Sequence, residues 1–183
     1  EKAANQNNIK AQFILGNIFS DGIFIKKDIK KAIYYYELAS KNNHSSAQFN
    51  LASIYENGIL IERDINKAIQ YYILAAKNKN SKAMYNLGAL YLQGENVPYD
   101  FDKGLYYLEL SANQNNSRAQ AFLGQLYSSN IDVKVDINKA IYYYDVAAKQ
   151  NVIEAQINLG NIYMNGEYIS VDINKAIYYY KIA

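Results

Sequence analysis

Few residues in this chain could break or make bonds. His44 is the sole histidine among 183 residues, and there is no cysteine. A Ser–His or Cys–His nucleophile needs an imidazole oriented by a third group, and a zinc site needs several N or S ligands. One histidine in the loop stretch Asn42-Asn43-His44-Ser45 supplies neither. Only carboxylate catalysis remains, and it requires two acids that face one another. The acids here fall at regularly recurring or scattered positions of surface character. The sequence therefore predicts a protein that is not an enzyme, with no catalytic residue, no metal site and no cofactor.

Two recurrences look chemical and have simpler explanations. Asp-x-x-Lys pairs such as Asp28/Lys31 and Asp172/Lys175 match an N-cap carboxylate with a lysine three positions on, a pair worth a few tenths of a kcal/mol. The chain also holds 20 tyrosines, with runs at Tyr34-Tyr35-Tyr36, Tyr142-Tyr143-Tyr144 and Tyr178-Tyr179-Tyr180. Three consecutive helical residues sweep about 200° and cannot share one binding face. One ring is expected to pack within its own repeat, one against the next repeat, and one to stay half exposed. That reading outweighs a ladder of rings for base stacking.

The elements behind these residues are set by an internal repeat. Ala11, Ala47, Ala83, Ala119 and Ala155 are spaced by 36 residues without slippage, as are Leu15, Leu51, Leu87, Leu123 and Leu159. The step also holds for an aromatic (Phe19, Tyr55, Tyr91, Tyr127, Tyr163), for an aspartate (Asp28, Asp64, Asp100, Asp136, Asp172) and for a lysine (Lys31, Lys67, Lys103, Lys139, Lys175). A constant period of this length marks stacked supersecondary units, none of which can bury its apolar face alone. Each unit reads as two helices. In the first, Ala47, Leu51, Ile54 and Tyr55 line one face. Gly22, Gly58, Gly94 and Gly166 end it as left-handed C-terminal residues, with Asn130 replacing glycine in the fourth copy. Asp64 and its equivalents cap the second helix, where Ala68, Tyr72 and Ala75 form a seam.

The expectation is an all-α fold, one solenoid domain over 1–183, with units at about 11–46, 47–82, 83–118, 119–154 and 155–183 preceded by the tail of a further repeat at 1–10. The register begins and ends inside second helices, which predicts a segment of a longer array. Its uncapped terminal helices would allow end-to-end packing. No run of 18 apolar residues occurs, so no membrane insertion is expected, and Glu1-Lys2-Ala3-Ala4-Asn5-Gln6 is no signal peptide. A formal charge of +2 is near balance and lowers the case for nucleic acid. Heavy use of Asn, Ile, Lys and Tyr suits A+T-rich coding in a bacterial or protist source.

The strings Ala47-Gln48-Phe49-Asn50-Leu51-Ala52-Ser53-Ile54-Tyr55-Glu56-Asn57-Gly58 and Asp64-Ile65-Asn66-Lys67-Ala68-Ile69-Gln70-Tyr71-Tyr72-Ile73-Leu74-Ala75-Ala76 closely resemble the Sel1-like repeat, a relative of the tetratricopeptide repeat. The 36-residue step argues against the 34-residue tetratricopeptide unit itself. The resemblance implies a right-handed superhelix with first helices on its concave surface, and a scaffold or adaptor that binds a protein or peptide. Hydrolase activity claimed for cysteine-rich relatives does not carry over to a chain without cysteine.

By the same resemblance, first-helix residues off the packing seam face the groove. Phe13, Asn17, Phe49, Ser53, Glu56, Tyr85, Ala89, Leu92, Gln125, Asn161 and Met164 are the expected partner-binding positions. They are mostly neutral, which suits hydrogen bonding to a peptide better than gripping phosphates. An RNA-binding array akin to pentatricopeptide repeats is the first alternative, and it needs a basic inner face. A hydrolase hidden in the array is the second, and it needs a convergent acid pair.

Overall fold

The structure is a computed structural model that describes residue 4, residues 7–129 and residues 134–183. Among the described residues the regular elements are ten α-helices of 10 to 13 residues from residue 9 onward. They are α1 (Ile9–Asp21), α2 (Ile29–Lys41), α3 (Ser45–Asn57), α4 (Ile65–Lys77), α5 (Ser81–Gln93), α6 (Phe101–Asn113), α7 (Ser117–Ser128), α8 (Ile137–Ala148), α9 (Ile153–Asn165) and α10 (Ile173–Ile182). Odd-numbered helices are the first helices of the repeats and even-numbered helices the second.

The punctuation follows local chemistry. Asp28, Asp64, Asp100, Asp136 and Asp172 each accept a hydrogen bond from the backbone N–H three residues on, at 3.0–3.1 Å. Each therefore satisfies one of the orphan donors at a helix start. Asn8, Asn80 and Asn116 cap first helices in the same way, and His44 does so through Nδ1 at 3.2 Å. Gly22, Gly58, Gly94 and Gly166 take φ between 65° and 71°, the conformation expected of them. The glycine-to-asparagine exchange at Asn130 lies outside the described residues.

The chain divides into two compact units, Glu1–Leu87 and Gly88–Ala183. Each is built from the same seam. Ala47, Leu51, Ala68, Tyr72 and Ala75 are fully buried in the first, and Leu108, Ala119, Leu123, Ala140, Ala147, Ala155 and Leu159 in the second. Burying each leucine contributes roughly 1.5–3 kcal/mol. Close approach of paired helices rests on small residues: a Cβ on Gly16 would stand 2.4 Å from Cδ1 of Tyr36, and one on Gly124 2.6 Å from Cδ1 of Tyr144.

A recurrent glutamine ties one repeat to the next. Gln48 donates to the Ser40 carbonyl at 3.1 Å and accepts from Asn78 at 2.9 Å. In the second unit Gln120 donates to the Ala112 carbonyl at 3.1 Å and accepts from Gln150 at 2.6 Å. Both glutamines are buried, where unmet hydrogen bonds would cost most.

Candidate functional site

Tyrosine rings divide into three roles set by their angle on the second helix. The first of each run is the most exposed: Tyr34 is 55% and Tyr142 63% exposed. The middle ring stacks on the aromatic of its own first helix. Tyr55 and Tyr71 lie 5.9 Å apart at 4°, and Tyr127 and Tyr143 repeat that geometry. The conserved-register lysine covers this stack, with Lys67 Nζ 5.1 Å from the Tyr55 centroid and Lys139 Nζ 4.7 Å from that of Tyr127. Cation–π attraction thus gives the repeated lysine a task beyond pairing with the cap. Acids of the preceding repeat reach this stack: the Tyr179 hydroxyl donates to Asp145 at 3.1 Å. Burial, followed by the Glu37 charge, pushes the Tyr71 hydroxyl up to about 12.

The last ring of the run points the other way, under the first helix, and its hydroxyl becomes a hub. Tyr72 is fully buried. Its hydroxyl donates to Glu56 at 2.6 Å, accepts from Asn86 at 2.8 Å and lies 3.3 Å from the Ser53 hydroxyl. Burial, and then the hydrogen bond to Glu56, holds its pKa far above that of a free tyrosine. The Tyr36 hydroxyl donates to Asn17 at 2.8 Å, and Asn50 donates to the same Asn17 oxygen at 3.3 Å. In the second unit Tyr180 donates to Asn161 at 2.7 Å, and the Ser128 and Tyr144 hydroxyls are 3.4 Å apart.

Four of the eleven sequence-derived positions, Asn17, Ser53, Glu56 and Asn161, therefore bond to these hubs. Phe13 stacks on His44 at 4.4 Å, and Phe49 tilts against Tyr72 at 5.8 Å. Tyr85 and Ala89 are half-buried, while Gln125 and Met164 are exposed. Leu92 packs on Gly104, where a Cβ would come within 2.5 Å of its Cγ. Positions one residue after the Phe13 offset were not anticipated. Asn50, Asn86 and Asn158 belong to this face, and the recurrence of asparagine at a 36-residue step was the signal for them.

Two hollows open on this face, one in each unit. The first, about 280 Å³, is lined by residues that include Asn17, Ser20, Tyr36, Asn50, Ser53 and Asn57. The second, about 150 Å³, is lined by residues that include Ser128, Tyr144, Asn158, Asn161 and Asn165. Ser20 and Ser128, Tyr36 and Tyr144, Asn50 and Asn158, Ser53 and Asn161, and Asn57 and Asn165 are register equivalents, three repeats apart. Each hollow has a tyrosine floor and an amide-rich rim. Such a lining offers paired donors and acceptors for neutral polar groups. No group of three or more His, Cys, Asp or Glu side chains is placed to hold a metal among the described residues.

The five repeats at residues 9–44, 45–80, 81–116, 117–152 and 153–183 match the Sel1 repeat model. The chain belongs to the Sel1 repeat family. Its boundaries run two residues ahead of those drawn from the alanine register, because the family unit starts at the first helix. A Sel1 repeat protein from Oxalobacter formigenes is similar at 33% identity and a TM-score of 0.87, with 96% of this chain covering 72% of that one. Protein c5321, a protective antigen of uropathogenic Escherichia coli with an SLR fold, is 27% identical at a TM-score of 0.87; 99% of this chain covers 39% of it. The immunity protein Pa5087 of Pseudomonas aeruginosa, at 22% identity and a TM-score of 0.62, shares the fold, with 99% of this chain covering 69% of it. Among curated proteins none matches the sequence. The fold class is an all-α solenoid of helix–turn–helix repeats, and arrays of this kind generally serve as protein-interaction scaffolds rather than catalysts. No helix among the described residues is long and apolar enough to cross a membrane.

Proposed function

We propose that this chain is a scaffold or adaptor that holds a peptide or protein segment on its first-helix face, the face that lines the concave surface of helical-repeat arrays. The recurrence of one tyrosine-floored, amide-rimmed hollow in both units supports this most strongly. Asparagine carboxamides present a donor and an acceptor side by side, which matches the N–H and C=O of an extended main chain. The hubs hold the inner amides in fixed rotamers, so little side-chain entropy is lost when a partner docks. The rims carry few cations, which disfavours a phosphate-bearing partner.

The test is selection from a displayed random-peptide library on the immobilised chain, followed by titration of the enriched peptides. Asn50→Ala with Asn158→Ala is expected to weaken them by about tenfold, the loss of one or two hydrogen bonds to a bound main chain. Peptides that bind the double variant as tightly as the parent would place the partner site elsewhere.

A further inference from the structure

We infer that the first unit carries a second surface, which borders the first hollow at Lys27 and Ile59: a loop flank that docks on an anionic phospholipid bilayer. It is formed by the connections between α1 and α2 and between α3 and α4. Ile23 and Phe24 are 75% and 84% exposed in the first loop, and Ile59 and Leu60 are 66% and 64% exposed in the second. Loops normally carry polar residues at their tips, and clustered exposed apolar side chains mark an interaction site.

The repeat frame does not require these residues. At the register of Ile23 and Ile59 the second unit has Glu95, Ile131 and Glu167, so the frame accepts a charge there; the loops of Glu95 and Glu167 are closed by the same left-handed glycine. Leu60 adds an independent sign. It has φ 68°, a left-handed conformation that its described counterparts Phe24, Asn96 and Tyr168 do not share. A bulky residue is held there against a free-energy cost and left exposed, a combination found where a side chain is presented to something.

Charge selects the occupant. Beside the apolar tips lies an open hollow of about 570 Å³ whose lining includes Ile25, Leu60, Lys26, Lys27 and Lys30. Lys31 is paired with Asp28 at 4.0 Å, whereas Lys26, Lys27 and Lys30 have no ion-pair partner among the described residues. Nor does the frame demand Lys30, whose counterparts are Asn66, Asp102, Asn138 and Asn174. Apolar side chains that project from a loop, with lysines at their base, match the layering of a bilayer surface. The tips enter the acyl boundary and the ammonium groups stay at the phosphates.

Flotation of the whole chain with vesicles decides this. Binding is expected to phosphatidylcholine vesicles that contain phosphatidylglycerol, with little binding to phosphatidylcholine alone and a decline as salt rises. Ile23→Glu with Ile59→Glu installs residues the same frame already carries, so the helices stay folded by circular dichroism while partitioning falls by at least about tenfold. Replacing Lys26, Lys27 and Lys30 by glutamine lowers binding by about fivefold for each lysine. Tyr99→Ser, in a loop of the other unit, leaves it unchanged. Equal binding to both vesicle types, no binding to either, or full binding by the Ile23/Ile59 variant overturns the inference and leaves the flank to a protein partner.

Discussion

The second and third repeats solve one packing problem with opposite chemistry. In the second, Tyr72 lies under the first helix and Ser53, Glu56 and Asn86 gather on its hydroxyl. In the third, Leu108 occupies the equivalent place, and Ala89 and Leu92 stand where Ser53 and Glu56 do. The exchange reaches a fourth position. Leu92 extends over residue 104, which is glycine, in the place held by Ala68 in the second repeat. Removing the hydroxyl thus accompanies removal of its acceptors, and the volume of Leu92 is accommodated by a missing methyl. A polar floor is viable only as a set, because a buried hydroxyl without partners costs more than a leucine in its place.

Deleting the polar hub is the most severe way to break this comparison. Tyr72→Ala removes a fully buried ring and strands its three polar neighbours, with an expected cost of about 4 kcal/mol in denaturant unfolding. A loss no larger than that of an exposed tyrosine such as Tyr106 would show that the hub is not structural. Transplanting the tyrosine alone comes next. Leu108→Tyr is expected to destabilise by about 2 kcal/mol through crowding and an unpaired hydroxyl. Adding Ala89→Ser, Leu92→Glu and Gly104→Ala, which copies the second repeat, should recover most of that; no recovery would refute the idea of a coupled set.

Tyr72→Phe isolates the hydroxyl and should cost about 1 kcal/mol in the same assay. The smallest effect concerns the first-helix cap. Burial lowers the pKa of His44, whose Nδ1 accepts the Ala47 N–H while its ring stacks on Phe13. With the folded pKa below the unfolded value near 6.5, this contribution is intact above about pH 6.5 and is lost as pH falls towards the folded value. His44→Asn keeps a cap of the kind used at Asn8, Asn80 and Asn116, so it should flatten the pH dependence of the melting temperature in that window. An unchanged slope would assign the pH dependence to other groups.

Part of the candidate site was readable in advance. Asn17, Ser53, Glu56 and Asn161 were identified from their offset on the first helix, which fixes the face a residue occupies. What that offset could not convey is that their polar atoms are already engaged by tyrosines 16 to 19 residues away. That offset does not mark the rim asparagines Asn50 and Asn158, which sit at the edge of the apolar stripe. There helix geometry alone leaves open whether a side chain turns inward or outward. The tyrosine runs were expected to divide into own-repeat, next-repeat and half-exposed rings. The structure stacks the middle ring on its own first helix while its hydroxyl reaches an acid of the preceding repeat, as Tyr179 does with Asp145, and the last ring packs beneath its own first helix while Tyr72 bonds to Asn86 of the next.

What the sequence determined by itself is the frame: the helix pair, its length, its aspartate caps, its left-handed glycines and the 36-residue step. These depend on φ/ψ preferences and on hydrogen bonds that span three or four residues, so they are written in local order. Tertiary structure decided the rest. Which hydroxyl meets which amide, why the repeated lysine lies over a ring, and that Leu60 stands beside the lysines of another loop all depend on distances between helices. Those distances follow from the packing of small seam residues, and no local pattern encodes them.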